Sequence, residues 1–261
     1  MLNFETMDSF DLKLINKISK DYNPLDYPGR LLHHLKCIFP SLTFANYSKF
    51  DLHKLLNQVI LENYGGEQIF KYKLFEQFLN QKNLVGAFEI KVNNSRADFL
   101  AINGHTRCFE IKTALDNFSK FNKQSADYML AFEYNYLLVD ECHLEKAKRI
   151  IPDSFGLWIN KNGKARQIKK ASLNKSLNPE IQLSLLTKRE VTESFPLSGG
   201  LINTILNENS DYAINKAFKR ALKERYLSRW KFIVVNQKNI LPMDLQFFFN
   251  NNISPKHIYY H

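Results

Sequence analysis

Two carboxylates and a lysine lie close together in a stretch of the chain that otherwise has the composition of buried β-strand. Asp98 lies in RADFLAIN, and Glu110 and Lys112 lie in TRCFEIKT, with a short turn between the two runs. A carboxylate in a half-buried strand costs free energy unless a cation or a hydrogen-bond donor accompanies it. Carboxylates that converge beside a lysine can bind a hard divalent cation such as Mg²⁺, which activates water for attack on a phosphate. These three residues are therefore the first candidates for chemistry.

The alternation of apolar residues indicates which face of the predicted hairpin the three polar side chains share. Four odd-numbered positions are apolar: Phe99, Ala101, Phe109 and Ile111. Because side chains alternate along a strand, the even-numbered carboxylates and lysine then occupy the other face, provided that the turn has an odd number of residues. A three-residue loop, Ile102-Asn103-Gly104, meets this condition, whereas a two-residue Asn103-Gly104 loop would separate the carboxylates. The side-chain pattern favours the three-residue loop.

The elements around this hairpin predict a mixed sheet with helices packed against it. A further strand, VGAFEIKV, precedes the hairpin, and the segment before it, GEQIFKYKLFEQFLNQ, has helical spacing. After the hairpin come a helix in DNFSKFNKQSADYMLAF, a buried strand YNYLLVD, a helix in HLEKAKRII, and a hairpin of FGLWIN and ARQIKKA around Asn162-Gly163. A meander followed by a strand reached through a helix predicts a mixed α/β (α+β) fold.

The chain divides into three regions by pattern. Residues 1–64 are predicted to be a helical N-terminal region, residues 65–172 the core with the sheet, and residues 173–261 a basic, mainly helical C-terminal region. The first residues contain acids and no unbroken apolar run, and no window reaches the ~18 apolar residues of a membrane span. Three cysteines without CxxC spacing suggest neither a disulfide framework nor a zinc site. We expect a cytoplasmic protein without a membrane partner.

The net charge favours an anionic partner. The chain has 36 Lys and Arg against 26 Asp and Glu, a formal net charge of +10. In AINKAFKRALKERYLSRWK, apolar residues follow helical spacing and basic residues occupy the rest of the surface. Four of these are candidate nucleic-acid contacts: Lys216, Lys219, Arg220 and Lys223. The alternative is a solvated helix face, which charged runs of this kind often form.

Asp98, followed by Glu110-Ile111-Lys112 at the end of the next strand, resembles the PD-(D/E)XK nuclease superfamily, which has the restriction-endonuclease-like fold. The resemblance covers about residues 65–172. QSADY, which contains Gln124 and Tyr128, is similar to the Gln-containing motif of several branches. The chain looks most like small stand-alone bacterial members, which are often found among mobile-element and defence genes. Ala97 stands where the motif has its namesake proline, a departure that many members share.

The resemblance implies a role for each residue of the motif. Asp98 and Glu110 would bind Mg²⁺, with Mn²⁺ as a substitute, and Ile111 would lend its backbone carbonyl. Lys112 would position the attacking water, and Gln124 would orient either Lys112 or the scissile phosphate.

Four further residues complete the set of candidates. An additional acidic ligand is left open between Glu67, in the helix before the meander, and Glu89, in the first strand. Arg96 and Tyr128 are candidate nucleic-acid contacts, and Arg96 is equally a candidate for a salt bridge. These assignments also follow from the resemblance.

These features together lead to the expectation of a metal-dependent endonuclease that hydrolyses phosphodiester bonds in DNA, with RNA left open as a substrate and a homodimer compatible with the sequence. The alternative is a catalytically silent nucleic-acid-binding or protein-interaction module on the same fold. The intact set of Asp98, Glu110 and Lys112 favours the enzyme, because a binding role needs only a positive surface.

Overall fold

The computed structural model of the protein describes residues 11–63, 65–161 and 163–260. The six strands are β1 (Val85–Val92), β2 (Ser95–Asn103), β3 (His105–Lys112), β4 (Tyr134–Asp140), β5 (Gly156–Lys161) and β6 (Lys164–Lys169). The helices before and within the sheet region are α1 (Leu12–Asp21), α2 (Pro28–Ile38), α3 (Lys49–Asn63), α4 (Glu67–Phe78), α5 (Phe121–Ala131) and α6 (Leu144–Ile150). Those after it are α7 (Pro179–Ser184), α8 (Lys188–Ser194), α9 (Ile202–Glu208), α10 (Asp211–Asn236), α11 (Leu245–Asn251) and α12 (Pro255–Tyr259).

The strands form one mixed sheet in the order β1-β2-β3-β4-β5-β6. The first three are an antiparallel meander, β4 is parallel to β3 and β5 is parallel to β4. Helices α5 and α6 make the two crossovers that parallel pairing requires. β6 returns antiparallel to β5 with Lys161 opposite Lys164; Gly163 of the predicted turn has a φ of +69°, and Asn162 lies outside the described residues. The predicted mixed α/β fold is confirmed.

The turn between β2 and β3 has the predicted odd parity, but it is centred one residue later than expected. Ile102 pairs with Thr106 and Asn103 with His105, which leaves Gly104 at the apex with a φ of +72°. Glycine adopts this left-handed conformation without the steric penalty that a Cβ brings. Ile102 and Asn103, which were predicted to lie in the loop, are therefore paired in the hairpin. The residue numbers of each opposed pair still add to an even total. Asp98 and Glu110 therefore share one face of the sheet.

Helices cover both faces of the meander. On the odd-numbered face, Phe78 of α4 packs on Phe99 and Phe109, with ring centroids 5.6 Å apart in both pairs. On the even-numbered face, α5 lies over the strands and buries Tyr128 against Glu110. The candidate carboxylates therefore lie between the sheet and a helix rather than on an open surface.

The N- and C-terminal helices extend this core. Helices α1 to α3 enclose an apolar cluster that also includes Met243 from the C-terminal region. Helix α10 packs along the edge strand β1, where the ring of Trp230 leaves no room for a side chain at Gly86. Within the described ranges, no helix has both the length and the apolar character needed to cross a bilayer.

Candidate active site

An open cleft of about 480 Å³ lies where β3 ends, beside the start of β2 and the first turns of α4 and α5. Seven of the residues predicted from the sequence line it: Glu67, Arg96, Asp98, Glu110, Ile111, Lys112 and Gln124. The strands place the two carboxylates and the lysine, and the helices add side chains from either side. The structure thus brings the predicted residues of the core into one place.

Glu110 and Lys112 form a buried ion pair that α5 holds in position. The Lys112 ammonium lies 2.6 Å from one Glu110 carboxylate oxygen and donates to the Gln124 side-chain oxygen at 3.1 Å. The Tyr128 hydroxyl donates to the other Glu110 oxygen at 2.7 Å. Of the two roles predicted for Gln124, the geometry matches the orientation of Lys112. Each carboxylate oxygen keeps a further lone pair, so Glu110 can still accept a metal ion.

Asp98 lies at the base of the cleft and depends on a backbone amide. The Ile111 N–H donates to its carboxylate at 2.6 Å, and Asp98 makes no ion pair with any of the described residues. Ile111 itself lines the cleft. A carboxylate held only by a neutral donor in a partly dry site retains a strong attraction for a cation.

Both candidates for the additional acid, Glu67 and Glu89, lie beside Asp98. Among the described residues, these three form a group whose carboxylate oxygens lie within 4.8 Å of one another. Glu89 adopts a φ of +59° in the middle of β1, a left-handed conformation that glutamate rarely takes. Arg96 forms an ion pair with Glu89 while 69% of its own side chain stays exposed. The salt-bridge role left open for Arg96 is therefore present, and the guanidinium also faces solvent at the cleft.

Burial raises the proton affinity of both candidate carboxylates. Burial, reinforced by the charges of Glu110 and Glu67, raises the pKa of Asp98 well above its ordinary value, although Lys71 and the Ile111 amide oppose the shift. Burial also raises the pKa of Glu110, against the lowering effect of Lys112 and of the hydrogen bonds to this carboxylate. A bound cation would favour the charged form of both groups.

Tyr128 does not have the role predicted for it. Its side chain is fully buried and its hydroxyl is committed to Glu110, so it cannot touch a nucleic-acid strand. The prediction of a direct contact is wrong. Burial and the Glu110 charge raise the pKa of Tyr128, which keeps its hydroxyl protonated as a donor. The tyrosine positions the carboxylate instead.

Two lysines at the mouth of the cleft were not predicted from the sequence. Lys120 and Lys123 are exposed and line the cleft beside Gln124, at the start of α5. Their spacing was a usable signal, because residues three and four apart occupy one face of a helix. These lysines add positive charge to the cleft that contains the carboxylates. They are better located for a phosphate backbone than the basic face of α10.

The basic residues of α10 are only partly free. Lys219 donates to the Glu133 carboxylate at 2.7 Å and to the Gly104 carbonyl at 2.9 Å, so its role is corrected to an internal ion pair. Gly104 is at the end of the β2–β3 hairpin opposite to the carboxylates. Three other basic residues remain exposed or half-buried, and their contact with nucleic acid stays a prediction: Lys216, Arg220 and Lys223.

Comparison with known proteins assigns a family. A family model described as bacteriophage P4 protein cII matches residues 61–248, which is more than half of the chain. The chain belongs to the bacteriophage P4 cII protein family. All the lining residues of the cleft fall inside the matched range, as do α10 and most of α11.

The other comparisons add no function. A solved structure of a protein of unknown function from Silicibacter pomeroyi is similar to part of the chain, at 22% sequence identity and a TM-score of 0.31. The similarity covers 39% of this chain and 68% of that one. No curated protein matches the sequence.

Proposed function

We propose that this member of the P4 cII family is a metal-dependent nuclease that hydrolyses phosphodiester bonds in DNA. The observation that supports this most directly is the meeting of Asp98, Glu110 and Lys112 in one open cleft with exposed lysines at its mouth. Acidic residues at the base suit a cation, and basic residues at the rim suit the phosphates of a strand. A site for binding alone would gain nothing from buried carboxylates that repel the backbone.

The donor chemistry of the cleft fits a hard divalent ion such as Mg²⁺ or Mn²⁺. Asp98 and Glu110 would hold the ion, with the carbonyl of Ile111 as a further oxygen ligand, and such ligands are those that Mg²⁺ prefers. The acids in and beside the cleft have an unbalanced charge: four carboxylates (Glu67, Glu89, Asp98, Glu110) meet three contacting cations (Lys71, Arg96, Lys112). When bound, the ion would polarise the phosphate and lower the pKa of a water molecule.

The protein's own side chains account for the remaining requirements. Lys112, held by Glu110 and Gln124, presents a fixed ammonium that can orient a water and stabilise negative charge as it develops on the phosphate. Tyr128 keeps Glu110 from rotating. Lys120, Lys123 and Arg96 would neutralise phosphates on either side of the scissile bond. DNA is the preferred substrate in this proposal, and RNA serves as a comparison in the test.

Cleavage assays with plasmid, linear duplex and single-stranded DNA, and with RNA, test the proposal. We expect cleavage with Mg²⁺ or Mn²⁺, none with EDTA, and none by Lys112→Met at the same purity. Lys73→Met is a matched control, because Lys73 lies on α4 outside the cleft and pairs with an exposed acid, Glu76. Equal cleavage by the wild type and Lys112→Met would indicate a contaminating nuclease. DNA binding without cleavage under any condition would instead support the silent binding module.

A further inference from the structure

A buried lysine pairs with two members of the acidic group formed by Glu67, Glu89 and Asp98. Lys71 lies one helical turn after Glu67 on α4, and the residue is only 2% exposed. Its ammonium forms ion pairs with Glu67 and Glu89, and it donates to the side-chain oxygen of Gln246 on α11 at 2.7 Å. An ammonium costs several kcal/mol to bury unless it is paired and hydrogen-bonded. Here every contact needed to keep it charged is present.

The surrounding backbone favours the same arrangement. The left-handed φ of Glu89 is found in the middle of a strand and costs on the order of 1–3 kcal/mol, so surrounding contacts must maintain it. The ion pair with Lys71 is one such contact. Burial alone would lower the pKa of Lys71, but Glu67, Asp98 and Glu89 raise it above its ordinary value. The lysine is therefore a permanent positive charge in this group.

Hydrolytic sites with two divalent ions hold them about 3.5–4 Å apart and need carboxylates for both. The three acids beside Lys71 are packed closely enough to serve as such a second set, since their oxygens lie within 4.8 Å of one another. The ammonium already pairs with Glu67 and Glu89, so a second divalent ion would have to displace it to use their oxygens.

We propose that Lys71 replaces a second metal ion, so that the cleft binds a single divalent ion at Asp98 and Glu110 while Glu67 and Glu89 serve the lysine. The inference rests on the proposed function, because it specifies how many ions that site takes. Charge balance agrees with it. Glu67, Glu89 and Asp98 together with Lys71 and Arg96 have a net charge of −1, from three carboxylates and two cations, so the group offers no charge for a second divalent ion beside the first. Without Lys71 the net charge would be −2, which favours a further divalent ion.

The number of bound Mn²⁺ ions, measured on the full chain by calorimetric titration or electron paramagnetic resonance, tests this proposal. We expect one ion per wild-type chain and two per Lys71→Met chain. Adding Glu67→Gln and Glu89→Gln to Lys71→Met should return the count to one, because the second ion loses its ligands. Lys73→Met, an equal change at a half-buried lysine of the same helix that pairs with Glu76, should leave the count at one.

Glu67→Gln alone provides a second test that does not depend on the folding of Lys71→Met. The Glu67 side chain is 44% exposed, so the substitution is compatible with the fold. If Glu67 serves the lysine, the variant should still bind one Mn²⁺, with affinity reduced by less than tenfold. Loss of that ion would overturn the inference.

The remaining outcomes separate the inference from the proposed function. Two ions in the wild type, or one ion in a folded Lys71→Met variant, would overturn the inference and leave a metal-dependent nuclease intact. No ion in the wild type would overturn both.

Discussion

Asp98→Asn should stabilise the metal-free protein and abolish cleavage. The asparagine side chain keeps an oxygen that can accept the Ile111 N–H, so the backbone contact survives. Burial is the main cause of the raised pKa of Asp98 and the charges of Glu110 and Glu67 add to it, and the substitution removes the charge on which both act. It also removes a proposed metal ligand. The Asp98 carboxylate is therefore expected to lower the stability of the metal-free protein and to be required for cleavage.

The magnitude follows from the spacing of the acids. At 4.8 Å, the upper limit of separation in the group of Glu67, Glu89 and Asp98, two like charges repel by about 3.5 kcal/mol at an effective dielectric constant of about 20. Lys71 offsets part of this repulsion, and water in the cleft screens more of it. We expect a net gain of about 1–2 kcal/mol in the free energy of unfolding, or about 2–8 °C in Tm for a chain of this size.

Thermal and urea unfolding in EDTA and in Mn²⁺ provide the assay. In EDTA the variant should be more stable than the wild type. In Mn²⁺ the order should reverse, because an ion at 100 times its Kd stabilises the native wild type by about 2.7 kcal/mol and the variant gains little. Glu76→Gln, which removes an exposed acid from α4, should change stability by less than about 0.5 kcal/mol in either condition. A lower Tm for Asp98→Asn in EDTA would refute the reasoning.

Three further predictions concern the surroundings of the cleft. Lys120→Gln combined with Lys123→Gln should reduce the slope of log DNA affinity against log salt concentration by about two, measured by fluorescence anisotropy. A double substitution of basic residues on α10 should reduce that slope less. Tyr128→Phe leaves one oxygen of the buried Glu110 carboxylate without its hydrogen-bond donor and should lower the free energy of unfolding by about 1.5–3 kcal/mol, measured in urea. Burial raises the pKa of Asp244 to about 7, against a usual 3.8, although two tyrosine hydroxyls donate to it. The native state then binds the Asp244 proton more tightly than the unfolded state does. The protonated carboxyl therefore stabilises the fold at low pH, and this contribution is lost as the pH rises through about 7. Between pH 5 and pH 8 the wild type should lose roughly 2–3 kcal/mol relative to Asp244→Asn; parallel pH profiles would contradict this.

Local patterns were sufficient for the sheet and for the faces of its strands. Apolar alternation placed Phe99 and Phe109 on one side, and the same parity placed Asp98 and Glu110 together on the other. The exact turn was harder to predict, because any odd-length loop satisfies the same pattern. The pairing of Ile102 with Thr106 and of Asn103 with His105 distinguishes the observed turn from the predicted one, and side-chain alternation carries no information about it.

The layer of residues behind the cleft could not be read from the sequence, because its contacts join distant segments. In the sequence, Lys71 is one lysine among others on an amphipathic helix. Only the fold brings Glu89 and Gln246, 18 and 175 residues away, into contact with its ammonium. Lys219 belongs to a basic run, and only the fold shows that Glu133 pairs with it, 86 residues away. Helical spacing predicts which residues share a face, but it cannot indicate which charge lies opposite.

The packing also changes how the chain should be divided. Residue 172 is the predicted end of the core, yet Trp230 and Phe248 belong to the same apolar cluster as the strands of the meander. Gln246, which lies in the C-terminal region, contacts the acidic group by accepting a hydrogen bond from Lys71. A boundary drawn where the sequence pattern changes therefore cuts through a single hydrophobic core. The residues that could perform the chemistry come from the meander and α5, and the buried lysine beside them is held in part by Gln246 on α11, 175 residues later in the chain than Lys71.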